Sequence, residues 1–372
     1  MNITFDYEIF VRQRHGGISR YFYEIITRLL KKDGIKLNVF AGINNSTYEF
    51  ANYDKLSYLY EKRISNFDKI NFLLLPLNKI LFNLKLSRFK TDILHKTYFS
   101  DSGLDFKCKK IITVHDMIHE MFPQYFSPSD DTSIKKANCI NNADGIICVS
   151  HSTMNDLLKF YDYPVNKIAV IYHANSLTTK VKSKRVIDEP YILFVGKRSG
   201  YKNFDLLLTA YNITDSLKNN FKLVCFGGDN FNFSEKLYLK EHLLTDRIIY
   251  LEGNDELLAN LYQNASVFVY PTLYEGFGFP PLEAMYYGCP VLASDTSSIP
   301  EVVANAALLF EPNNIEDLVL KINTMLADDR LKQDLKLKGF ERVKMFSWEK
   351  SAERTAEFYK KIFIQHKLII KK

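Results

Sequence analysis

The stretch Tyr274-Glu275-Gly276-Phe277-Gly278-Phe279-Pro280-Pro281-Leu282-Glu283-Ala284-Met285 decides the fold. It follows a strand-like run, Ala265-Ser266-Val267-Phe268-Val269-Tyr270, closed by Pro271, and it opens a helix that stops at Gly288. Glu275 and Glu283 are thus separated by a glycine loop and a helix N-terminus, just beyond a strand. Ligands of parallel α/β sheets bind at that edge. Backbone N–H groups and the helix dipole there attract phosphate. Carboxylates repel phosphate, so this pair suits hydroxyl donors instead. Phosphate donors beside hydroxyl acceptors describe a site for a nucleotide-sugar.

The same alternation extends in both directions. Tyr191 to Gly196, Phe221 to Gly228, Arg247 to Leu251 and Pro290 to Ala293 read as buried strands with helical patterns between them. Towards the N-terminus, Asn2 to Phe5, a loop carrying Gly16-Gly17, a periodic helix from Arg20 to Leu30 and a strand from Lys36 to Ala41 form a βαβ unit. Asp92 to His95, Lys110 to Val114, Gly145 to Val149 and Lys167 to Ile171 continue the series. Between the halves, Ser176 to Pro190 is polar and aperiodic, which reads as a linker. The expected fold class is α/β, with two Rossmann-like doubly wound domains facing a cleft. Residues 1–178 form the first domain and 188–349 the second. A last helix, residues 350–372, is long enough to cross back to the first domain.

Bulk properties agree. A chain of 372 residues favours two domains. Its net charge of +6 is mild, with Lys and Arg spread among acids, which speaks against nucleic acid as a partner. Five cysteines without a CxxC pair read as reduced core thiols, hence a cytoplasmic compartment. Asp6 and Glu8 argue against a signal peptide. No apolar run reaches the ~18 residues of a spanning helix.

Four further groups carry chemistry. Lys197, Arg198, Lys202 and Asn203 follow the strand Tyr191 to Val195, so parallel geometry delivers them to the Glu275 edge as phosphate cations. Gly16-Gly17 allows backbone to approach a ligand. His115 ends the strand Ile111 to Val114 and can bond a sugar hydroxyl or steady developing charge, with Asp116 capping or orienting the loop. His95 and His119 are weaker candidates for acceptor contact. There is no Asp-x-Asp and no metal-ligand cluster, so neither a metal nor another cofactor is expected. Finally, residues 70–90 set many leucines beside Lys79, Lys85, Arg88 and Lys90. Such a stretch suits either a membrane interface or a helix packed on the sheet with snorkelling lysines. Pro76 interrupts it.

Taken together, these residues resemble the retaining GT-B glycosyltransferases of family 4. The resemblance spans most of the chain and rests on Glu275-Gly276-Phe277-Gly278 through Glu283, Val195-Gly196-Lys197-Arg198 with Lys202-Asn203, Gly16-Gly17, Val114-His115-Asp116 and Ser298-Ile299-Pro300-Glu301-Val302. It implies acceptor binding by the first domain and donor binding by the second. It implies catalytic roles for His115, Glu275, Arg198 and Lys202. Donor contacts fall to Gly16, Gly17, Lys197, Asn203, Gly276, Phe277, Gly278, Phe279, Leu282 and Glu283. Glu283 would hold ribose hydroxyls and Glu275 those of the transferred sugar. Relatives space the basic pair wider than Arg198 and Lys202, so Lys197 is an alternative for the first cation. The details look most like bacterial mannosyltransferases of O-antigen synthesis, with GDP-mannose the favoured donor and a glycan or lipid-linked acceptor. Peripheral contact with the inner face of the cytoplasmic membrane fits such an acceptor. A nucleotide-sugar epimerase of similar architecture and a non-catalytic binding protein are the competing readings.

Overall fold

Parallel strands covered by helices on both faces must be apolar throughout, and the short apolar runs of this chain meet that demand. The first sheet takes β1 (Asn2–Phe5), β2 (Lys36–Asn44), β3 (Tyr58–Arg63), β4 (Ile93–Lys96), β5 (Lys109–Val114), β6 (Gly145–Cys148) and β7 (Ile168–Val170). The second takes β8 (Tyr191–Val195), β9 (Lys222–Phe226), β10 (Ile248–Leu251), β11 (Val267–Tyr270), β12 (Val291–Ser294) and β13 (Leu308–Phe310). This computed structural model describes residues 1–64, 71–88, 90–181 and 183–370.

Strand order is β3-β2-β1-β4-β5-β6-β7 in one sheet and β10-β9-β8-β11-β12-β13 in the other, every pairing parallel. Each sheet therefore reverses direction once, between β1 and β4 and between β8 and β11. In parallel α/β sheets, ligands bind beside the C-terminal ends of the strands at such a reversal. At the first switch point, Lys96 and Asp6 are wholly buried with Nζ 3.1 Å from Oδ2. Thr97 N also donates to Asp6 Oδ1 at 2.8 Å, so the pair is satisfied and pins β4 to β1.

The chain divides into two compact units, Met1–His173 with the segment from Trp348, and Ala174–Ser347. The division precedes the expected boundary at 178, and the expected linker belongs to the second unit. Asn260 holds it there by donating to Ser183 O at 3.3 Å and Lys184 O at 2.9 Å, as Tyr287 does to Thr179 O at 2.9 Å. The helix Trp348–Ile370 lies along the helix Gly17–Leu29 of the first unit, with Arg28 Nε donating to Glu349 Oε1 at 2.9 Å. The end of the expected segment, residues 371–372, lies outside the described residues.

Other expectations shift. Gly17 is the first residue of its helix and Gly16 the cap, so the pair is a helix start rather than a loop. Pro76 does not break its helix, which runs Asn71–Leu86. Proline removes one amide donor, and the helix continues past it with one backbone bond fewer. Ile70 and Phe89, within the predicted amphipathic stretch, lie outside the described residues. Four cysteines are buried and Cys108 is half-buried, all five as free thiols.

Candidate functional site

In the second unit, the loops after β8 and β11 meet at the switch point. Leu273 N donates to Tyr201 O at 2.7 Å, stitching one loop to the other. Glu275 Oε1 accepts from Lys202 Nζ at 2.6 Å, Tyr270 OH at 2.6 Å and Thr272 Oγ1 at 2.9 Å. All three bonds fall on Oε1, which leaves Oε2 uncommitted among the described residues. Ser297 and Ser298 hold the backbone beneath, through Glu275 N at 2.9 Å and Glu275 O at 2.9 Å. The carboxylate and the ammonium, far apart in sequence, thus form one charged unit on a rigid base.

Arg198 does not join them. Its guanidinium donates to Glu235 Oε1 at 2.7 Å and to Asp229 O at 2.6 Å, and lies over the rings of Phe231 and Tyr250. With Arg198 9% exposed, this is a structural contact that anchors the loop. Lys197 is exposed and has no hydrogen-bond or ion-pair partner among the described residues. Within the loop, Arg198 is thus paired to Glu235 while its neighbour Lys197 is exposed. Gly196, with φ +129°, makes the turn out of β8 that turns these neighbours apart.

The helix Phe279–Tyr286 begins after Gly278, whose φ of +98° is a left-handed conformation costly for other residues. A Cβ there would also meet Ile299 Cδ1 at 2.8 Å. Pro280 and Pro281 carry no N–H, so the first helical turn offers fewer donors than an ordinary helix start. Glu283 lies half-buried on this helix and accepts from Tyr262 OH at 3.2 Å. Leu282 is fully buried and Phe277 nearly so. Phe279 is half-buried, and Asn203 caps the next helix in a left-handed conformation, with Nδ2 3.5 Å from Asn313 Oδ1.

In the first unit, Gly16 O accepts from Ser19 Oγ at 3.0 Å. His115 sits just past β5. Its Nδ1 is 3.4 Å from Nε2 of His173, a residue that no motif singles out. Asp116 Oδ1 accepts from Ile118 N at 3.2 Å, the loop-orienting role. Burial lowers the His115 pKa to about 4, so the ring is neutral at pH 7. His95 is sealed in the core between Tyr359 OH and Thr113 Oγ1 and cannot meet an acceptor. His119 stacks on Phe126 with centroids 3.9 Å apart, beside a cavity of about 500 Å³ also lined by Gln124, Ser127 and Asp130. Among the described residues, no three His, Cys, Asp or Glu side chains gather as metal ligands, and no helix is long and apolar enough to cross a membrane.

Comparison with known proteins matches residues 177–342 to the family described as glycosyl transferases group 1, and residues 15–176 to glycosyltransferase family 4. The chain is 29% identical over 267 residues to O-antigen chain mannosyltransferase B of Escherichia coli, covering 68% of this chain and 70% of that one. It is 30% identical over 205 residues to an O-antigen chain mannosyltransferase of Salmonella typhimurium, covering 55% of this chain and 57% of that one. Sucrose-phosphate synthase of Thermosynechococcus elongatus shares the fold, with a TM-score of 0.77 at 21% identity over 98% of this chain and 99% of that one.

Proposed function

Because this chain belongs to the family 4 glycosyltransferases of GT-B fold, we propose that it moves a hexose, mannose by preference, from a nucleotide-diphosphate sugar to a glycan or lipid-linked acceptor, with retention and without a metal. The observation that carries this reading is the Glu275–Lys202 unit at the switch point of the second sheet. A carboxylate suits the hydroxyls of the sugar, and the adjoining ammonium suits the phosphate it leaves. The preference for mannose, and a role in O-antigen synthesis, rest on the named relatives.

In this mechanism Lys202 and Lys197 face the diphosphate, whose charge grows as its bond to the anomeric carbon breaks. Glu283 takes ribose hydroxyls and Glu275 Oε2 takes a hexose hydroxyl; His115, in the first unit, is proposed as a further catalytic residue on the family resemblance alone. The acceptor hydroxyl attacks the face the phosphate leaves and passes its proton to the departing phosphate oxygen. The anomeric configuration is kept. An epimerase or a passive binding protein would not transfer a sugar to an acceptor glycan.

Lys202→Ala is expected to raise donor KM and lower kcat together, by tenfold to a hundredfold overall, the scale of one charge-assisted bond of about 1.5–3 kcal/mol. Lys197→Ala is expected to act in the same direction. Arg198→Ala is expected to act mainly through stability, lowering the melting temperature. Steady-state kinetics beside thermal melts make the comparison. Unchanged kinetics for both lysine variants would make the loop a solvated turn.

The reading includes peripheral attachment to a membrane from the cytoplasm. The helix Asn71–Leu86 buries Leu74, Asn78, Phe82 and Leu86, yet exposes Leu73, Leu77, Ile80 and Leu84 at 54%, 43%, 60% and 60%. Their spacing puts all four on one stripe. No acid occurs from Asn71 to Lys90, while Lys79, Arg88 and Lys90 are exposed. An apolar stripe flanked only by cations complements an anionic bilayer. Vesicles containing phosphatidylglycerol are expected to sediment the protein, with release by salt and by Leu77→Glu/Ile80→Glu. Equal sedimentation of that variant, or a dimer that hides the stripe, would set this attachment aside.

A further inference from the structure

We propose that Ser297 is a positioning residue for Glu275: its hydroxyl, carried on a left-handed turn of backbone, fixes the peptide from which the Glu275 carboxylate reaches the hexose. This rests on the reading that Glu275 meets the transferred sugar.

β11 and β12 are parallel neighbours, so the loops leaving their C-terminal ends run side by side. Three consecutive residues of the second loop grip alternate residues of the first. Thr296 Oγ1 donates to Leu273 O at 3.2 Å. Ser297 Oγ accepts from Glu275 N at 2.9 Å. Ser298 Oγ offers its one proton to Glu275 O at 2.9 Å and to Phe277 O at 3.0 Å. Both backbone polar groups of Glu275 are thus held by hydroxyls of one loop, while Lys202, Tyr270 and Thr272 hold its Oε1. A side chain swings about its own peptide, so fixing that peptide fixes where Oε2 can be offered to a ligand. Small displacements of a positioning group cost rate out of proportion to their size.

Ser297 differs from its two neighbours. Its φ of +48° lies in the left-handed region, where a Cβ crowds the following carbonyl and glycine rests most easily. The turn by itself therefore favours glycine. Serine keeps the strain and supplies what glycine lacks, an acceptor for the Glu275 amide. Backbone strain of this kind persists where the surroundings demand it, and it gathers at functional sites. Ser298 is fully buried, so its loss would disturb packing. Ser297 is only half-buried, so its hydroxyl can be removed without opening the core.

The test uses the full chain with Ser297→Gly, which removes the hydroxyl and relieves the turn, and Ser297→Ala, which removes the hydroxyl and keeps the strained Cβ. Thermal melts, amide hydrogen exchange of residues 273–278, calorimetry with nucleoside diphosphate and single-turnover transfer rates are compared, the rates well below every melting temperature. Ser297→Gly should melt above Ser297→Ala. Both should exchange the Glu275 amide faster than wild type and lose about tenfold in transfer rate, the scale of one hydrogen bond. Both should bind nucleoside diphosphate within about twofold of wild type, because it carries no hexose. A rate that follows melting temperature instead, reduced in Ser297→Ala and intact in Ser297→Gly, would make Ser297 a turn residue only and overturn the proposal. Unchanged exchange and rate in both variants would overturn it too. If Glu275→Ala keeps its full rate, the hexose-contact reading falls first and the proposal with it; a slow Glu275→Ala beside unaltered Ser297 variants overturns the proposal alone.

Discussion

Glu275→Ala is expected to lower kcat by about a hundredfold or more while leaving affinity for the nucleoside diphosphate within about threefold. Three donors converge on Glu275 Oε1, those of Lys202, Tyr270 and Thr272. Truncation leaves them facing an empty space at about 1–3 kcal/mol per buried group without a partner. It also removes the Oε2 proposed to hold the hexose. About 3 kcal/mol at the transition state corresponds to a hundredfold in rate. The product nucleotide carries no hexose, so its binding does not depend on Oε2. Lys202, relieved of its carboxylate, stays available to phosphate. Glu275→Gln keeps an acceptor in place but loses the charge, and should fall between wild type and alanine. Glu283→Ala should instead weaken donor and nucleoside diphosphate alike, by tenfold to a hundredfold, because both carry the ribose. Calorimetry with nucleoside diphosphate, beside single-turnover transfer rates, separates the two. Equal loss of nucleotide binding in both alanine variants would abolish the division of roles and make both residues supports of the loop.

Acid is expected to destabilise the first unit well before its carboxylates titrate. Burial, then the neighbouring His115, lowers the pKa of His95 to about 3. Burial lowers His115 to about 4 and His173 well below 6.5. The unfolded chain protonates these rings near pH 6.5. Between that value and about 4 the unfolded state binds protons that the folded state refuses. Stability is therefore complete above pH 6.5 and is lost as pH falls towards 4. Each fully buried ring contributes up to about 1.4 kcal/mol per pH unit; His115, half-buried at its surface, contributes less. Urea titrations should show the midpoint falling clearly from pH 7 to pH 5, with a shallower fall in His173→Phe. A midpoint that does not move would mean that the rings are hydrated.

Much of this was legible in the residues themselves. Strands flanked by helices on both sides are apolar throughout, so β1, β5, β8 and β11 were recognisable without partners. The Glu275 loop announced a sheet edge through its glycines and prolines. β3 escaped because its residues are only half-buried at the sheet margin, and β13 because three residues carry no period. The fate of Arg198 was not legible, since Glu235 lies 37 positions away and only packing brings it near. His173 was hidden for the same reason: its partner is 58 positions distant, in another strand's loop. Spacing reveals what one element presents; it does not reveal which side chain an arginine or a histidine will choose across the fold.

The central claim is transfer from a nucleotide-sugar with retention and no metal. The direct measurement is NMR of the anomeric linkage formed when the protein, in excess EDTA, is given an α-linked nucleotide-diphosphate sugar, GDP-mannose first, and an acceptor glycan. The account predicts an α-linked product at an undiminished rate. A β-linked product, or activity abolished by the chelator and restored by a divalent cation, would contradict it.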